Sequence, residues 1–303
     1  MNNNIPEYTS YPKKFLAYKW YKPLLTVIFS ALAYFIINAI LVIPARLLTG
    51  YQIGGGYDNL DVYSGPGAVT VLGSVAAMTL GVLIGNSIVK SRPFSSYSST
   101  RGGFDFKVFF KCLAAAVVIV SIPSIIYLAV TGSYGGAVKF TVMGFILCTI
   151  LGPLQCVGEE YMMRGLLMQT FGSWIPVPAI AMVLQAVIFM LLHPYNLVGM
   201  ISVGAAGLLL AVMVCITKGL EASCAAHIAN NMTTFYFLGF GYDAVSSNVS
   251  MSEALFSIAV YAAFVVFIIF ADRKLGWFSH IKKDDAAEFN AKYAAKTAKK
   301  QNK

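Results

Sequence analysis

Eight long apolar runs restrict this chain more than any other feature, at about 24–43, 68–88, 109–130, 140–158, 177–192, 199–217, 222–240 and 255–271. A helix needs about 20 apolar residues to cross the hydrocarbon of a bilayer. The runs are read as such helices. They predict an all-α fold, a polytopic membrane bundle of about eight transmembrane helices. The fourth run reads either as ending at 158 or as continuing to 171, and the Gly-rich sixth reads as tilted. Composition agrees, with 58% hydrophobic and 12% charged residues against about 25% charged in soluble domains. A water-soluble globule, a nucleic-acid-binding module and a disordered chain are thereby excluded.

Three regions follow: an N-terminal segment over 1–23, a membrane domain over 24–271 with a core at about 140–240, and a basic tail over 272–303. Lysines and arginines concentrate in the N-terminal segment, in the loop after the second run and in the tail, where from Arg273 onward nine bases face three acids. The loops over 49–66 and 241–252 carry Asp58, Asp61 and Asp243 with no Lys or Arg. Under the positive-inside rule, eight spans with both termini in the cytoplasm fit this alternation, as expected of an integral protein of a bacterial plasma membrane. The five cysteines lie within apolar runs, and a disulfide framework is not expected. Gly81 and Gly85 form a GxxxG pair suited to close packing inside the bundle.

Ionisable side chains in hydrocarbon cost roughly 2.5–3.5 kcal/mol each on insertion scales, so their presence needs a reason. Here they are few: Glu159, Glu160, Arg164, His193 and His227. At about 100° per residue, Glu160 and Arg164 lie about 40° apart on a helix, in the favourable order for an ion pair. Glu159 projects about 140° from Arg164 and is expected to remain unpaired, facing a cavity. A hairpin closing near residue 174 brings Glu159 and His193 to one depth, with Phe189 one turn below. The same arithmetic leaves His227 about 18 Å from that depth, so a tilted, short or broken sixth span is expected to close the gap. His227 and Asn231 share a helix face and could donate two hydrogen bonds to one developing oxyanion.

In order, Glu159-Glu160-Tyr-Met-Met-Arg164, Phe189-Met-Leu-Leu-His193 and His227-Ile-Ala-Asn-Asn231 read as EExxxR, FxxxH and HxxxN. Inside a multi-span protein this set resembles the CAAX-protease and bacteriocin-processing (Abi) family of intramembrane endopeptidases, which includes the type II CAAX prenyl endopeptidases. The resemblance covers about a third of the chain, over 140–240. It implies peptide-bond hydrolysis in a cavity within the bundle, with Glu159 as general base, His193 as its partner, and His227 and Asn231 as oxyanion donors. Glu160, Arg164 and Phe189 would support them. Members are also described as metalloproteases, and Glu159, His193 and His227 would make a His₂Glu zinc set. With no HExxH and no carboxylate left to orient either histidine once Glu160 pairs with Arg164, the metal-free reading is preferred and no cofactor is expected.

The expected partners are membrane lipid and a peptide or protein substrate, not nucleic acid. Two other readings use the same residues. A non-catalytic peptide-binding or bacteriocin-immunity protein would share the cavity without hydrolysis. A proton-coupled transporter would use the cluster as a relay, but the chain has no visible inverted repeat.

Overall fold

A computed structural model describes residues 7–51, 57–132, 134–243 and 246–301. It is 76% helical, and no strand occurs among the described residues. Nine principal helices follow in order: α1 Lys22–Thr49, α2 Gly65–Val89, α3 Phe106–Thr131, α4 Val142–Trp174, α5 Pro178–Leu191, α6 Leu197–Thr217, α7 Glu221–Gly239, α8 Met251–Leu275 and α9 Asp285–Gln301. Starts are set by short polar caps. Thr141 accepts from Gly144 N in α4, Asn196 accepts from Gly199 N in α6, and Ser250 with Glu253 forms a capping box on α8.

Six helices (α1, α2, α3, α4, α6 and α8) are long and apolar enough to cross a membrane. The protein is an integral membrane helical bundle. Of the eight expected spans, the fifth and seventh fall short for different reasons. α5 has 14 residues, about 21 Å at the helical rise. α7 has 19 residues, but His227, Asn230 and Asn231 make it too polar to qualify. α7 carries His227 and Asn231, and α5 carries Phe189 and leads into His193. The fourth run takes its longer form, since α4 continues through 33 residues to Trp174, and its Tyr161–Met168 stretch is π-helical.

The first and last segments meet at one end of the bundle. Phe15 packs edge-on against Phe289 at 5.6 Å between ring centres, and Asn290 bonds to the backbone of both Lys14 and Leu16. The loop over 91–105, part of the basic connection after the second run, is largely buried at this end. Arg92 bonds to Gln169 and lies over the Tyr97 ring, and Arg101 pairs with Glu221 at 2.7 Å, with both side chains buried. At the other end the connections form a separate group. Ser247 bonds to Asp58, Thr141 N to Tyr63 O, and Asn196 to Asn248 and Val249.

The GxxxG pair does seat a helix within the chain. A Cβ on Gly81 would lie 2.8 Å from Ser30 O, and one on Gly85 would lie 2.7 Å from Ser30 N, so α1 rests directly on α2. Gly85→Leu is expected to separate these helices at the overpacking cost of about 1–3 kcal/mol. Thermal unfolding of the detergent-purified variant, together with the yield of monodisperse protein, checks this. Four of the five free cysteines are buried and Cys215 is partly so.

Candidate functional site

The site is built from α4, the end of α5 and α7, with walls from α2, α6 and α8. Glu159 and Glu160 close the α-helical part of α4, just before the π-helical stretch that carries Arg164. π segments are rare and recur at functional sites because they reset which side chains face inward. Arg164 is fully buried and makes three contacts. Its Nη1 donates to Glu160 Oε1 at 2.8 Å, its Nη2 donates to Gly207 O at 3.1 Å, and its guanidinium lies 4.6 Å from the Phe189 ring centre. The Glu160–Arg164 pair read from the sequence is therefore present, and Phe189 is part of its housing.

Two expectations need correction. Glu159 lines the cavity, 8% exposed, but it is not unpaired, because its Oε2 lies 3.2 Å from His227 Nε2. Glu160 also does more than hold Arg164. The same Oε1 lies 3.0 Å from His227 Nδ1, so the view that no carboxylate remained to orient a histidine does not stand. His227 bridges the two glutamates. An imidazolium can donate from both nitrogens at once, and with Arg164 it would balance two carboxylates in an otherwise apolar setting.

The meeting of His227 with the α4 glutamates also corrects the hairpin arithmetic. α6 runs from Leu197 to Thr217 without a break. The arithmetic failed because it assumed that α7 stays alongside α6. α7 instead packs mainly on α3 and α4, which delivers His227 directly to Glu159 and Glu160. Asn231, one turn along, donates to Gln155 Oε1 at 3.2 Å and lies 3.3 Å from His227 Nε2. Asn230 donates to Asn231 Oδ1 at 3.1 Å.

His193 stands just beyond the short α5. Its Nδ1 is 2.7 Å from Phe189 O, and its ring packs 4.5 Å from that of Phe189 and parallel to Tyr195. It shares with Glu159, His227 and Asn231 a cavity of about 290 Å³. Sequence reasoning missed several wall residues, notably Gln155, Tyr195, Ser257 and Tyr261. A polar residue one helical turn before Glu159 was the available signal for Gln155. None existed for Ser257 and Tyr261, which lie outside the motif-bearing third.

The zinc set can be tested against this geometry. Partners on both Nδ1 atoms are of the kind that metal-binding histidines use. Among the described residues, however, no three His, Cys, Asp or Glu side chains form a group able to hold a metal ion, and His227 Nε2 is directed at a carboxylate oxygen. The residues as arranged do not fit the ion.

Fold and site together define an integral membrane protein whose helices enclose an acid–base cluster in an internal cavity. Residues 140–233 match the family model of the Rce1-like proteins, type II CAAX prenyl endopeptidases. The matched segment is about a third of the chain and runs through α4, α5, α6 and most of α7. No curated protein and no solved structure matches the chain. The family match supports a membrane-embedded protease of the CAAX type.

Proposed function

We propose that the protein is an intramembrane endopeptidase that hydrolyses a peptide bond in a lipidated or membrane-associated peptide or protein, using a water activated by Glu159. The observation that carries this reading is the continuous chain Arg164–Glu160–His227–Glu159, buried at one end and open to the cavity at the other. Arg164 fixes Glu160, Glu160 fixes the imidazole through Nδ1, and the imidazole presents Nε2 beside the one carboxylate that a water in the cavity can reach.

In this reading Glu159 takes a proton from water as the hydroxide adds to the scissile carbonyl. Once protonated, Glu159 is a weaker acceptor for His227 Nε2–H, which becomes available to the new oxyanion alongside the Asn231 amide. Glu159 then returns its proton to the departing amine. His193, anchored through Phe189 O, holds the water from the other side of the cavity. No metal takes part, and the partners are membrane lipid and the peptide substrate.

A panel of quenched fluorogenic peptides, lipidated and not, tests the reading with purified protein. Cleavage is expected to persist unchanged after prolonged chelation. Loss of cleavage that zinc alone restores would replace the glutamate mechanism with a metal one. No cleavage of any peptide by folded protein would favour the peptide-binding reading.

A further inference from the structure

The cavity lies in the half of the bundle toward one end, and the two ends carry opposite charge. Its wall runs from Glu159 out to Leu60 and Tyr195, on connections at the end away from the termini. A second cleft of about 240 Å³ continues it. The two share Tyr195, Ser202, Val203, Asn230, Thr234 and Ser257, and the second reaches Ser246 and Glu253 beyond α7. Toward the other end the way is closed. Tyr97, Leu166, Met168, Val214 and Leu220 form a buried cluster there, backed by the Arg101–Glu221 pair.

The closed end holds both terminal segments and nearly all the basic residues. Among the described lysines and arginines, Arg46 and Lys139 belong to the open end and Arg164 to the interior, while every other one lies at the closed end. The open end carries Asp58, Asp61, Asp243 and Glu253. Short connections rich in Lys and Arg stay in the cytoplasm.

We propose that the cavity opens on the extracytoplasmic face and takes its substrate from that side, as an exported peptide or the outer flank of a membrane-inserted one. A chain end presented in the cytoplasm would meet the sealed, basic end. The outer cleft sets Ser202, Asn230, Thr234, Ser246 and Ser257 beside Leu128, Val203, Val249 and Phe256, so it offers partners for peptide N–H and C=O groups together with apolar wall for side chains. The word substrate rests on the endopeptidase reading. The sidedness rests on geometry and charge alone.

The test separates the two. Thr234→Cys lines the cleft without belonging to the Glu–His–Asn cluster, and Lys299→Cys lies on the exposed tail helix. Each is treated in sealed right-side-out vesicles with a membrane-impermeant cationic methanethiosulfonate, and the parent chain with its native cysteines is the blank. Thr234→Cys is expected to be modified in sealed vesicles as fully as in detergent, and Lys299→Cys only after permeabilisation. The reverse pattern would overturn the proposal. In parallel, an impermeant quenched peptide cleaved by the detergent-solubilised parent is expected to be cleaved equally by sealed vesicles. Activity that stays latent until the vesicles are opened would also overturn it. No cleavage even in detergent would remove the endopeptidase reading and leave the labelling to decide sidedness.

Discussion

Glu159→Gln is expected to lower peptide cleavage by about 10²- to 10⁴-fold, the usual contribution of a positioned general base, while leaving the protein folded. The amide keeps the volume of the carboxylate and can still accept from His227 Nε2 at the 3.2 Å now seen, so packing and the bridge to Glu160 survive. What is lost is the capacity to take a proton. Single-turnover cleavage and thermal unfolding, measured on one preparation, check both halves of this expectation. A variant that cleaves at the parental rate would remove Glu159 from the reaction. One that unfolds would mark Glu159 as structural.

The second large effect concerns stability. Arg164→Ala removes the donor to Glu160 and to Gly207 O and leaves a cavity against Phe189. Breaking a buried pair by deleting one partner costs about 3–5 kcal/mol, because the remaining charge is stranded. The variant is expected to be recovered in low yield and to unfold well below the parent on heating in detergent. Glu160→Gln should be milder, since its amide oxygen can still accept from Arg164. Should Arg164→Ala prove as stable as the parent, the view that the Glu160–Arg164 pair organises the cluster would fall. Arg164→Lys, which keeps the charge but not the two-pronged donor geometry, is expected to fall between.

Much of this arrangement is legible in the sequence. Long uncharged runs specify membrane helices almost on their own, because so few structures satisfy a backbone in hydrocarbon. The i, i+4 spacing of Glu160 and Arg164 forecast their contact for an equally local reason. Failures began wherever an answer depended on how one helix crosses another. The sharing of His227 by Glu159 and Glu160 follows from α7 packing on α3 and α4, which no pattern within residues 221–239 records. The π-helical stretch after Glu160 was illegible as well, since no residue pattern over 161–168 marks it. The burial of the 91–105 loop escaped because Arg92 and Arg101 look like ordinary membrane-flanking bases until Gln169, Tyr97 and Glu221 close around them.

The brevity of α5 has a consequence for the surrounding lipid. Its 14 residues span about 21 Å against a hydrocarbon thickness of about 30 Å, while its neighbours α4 and α6 are long enough to reach across. Such a hydrophobic mismatch is relieved by local bilayer thinning at a cost of fractions of a kcal/mol per Å. Thinning of the lipid beside α5 would draw the membrane surface toward the depth of His193, beside the cavity. A membrane-borne segment drifting into that thinned patch would find its peptide bonds already lowered to the level of the glutamates, without first having to leave the bilayer.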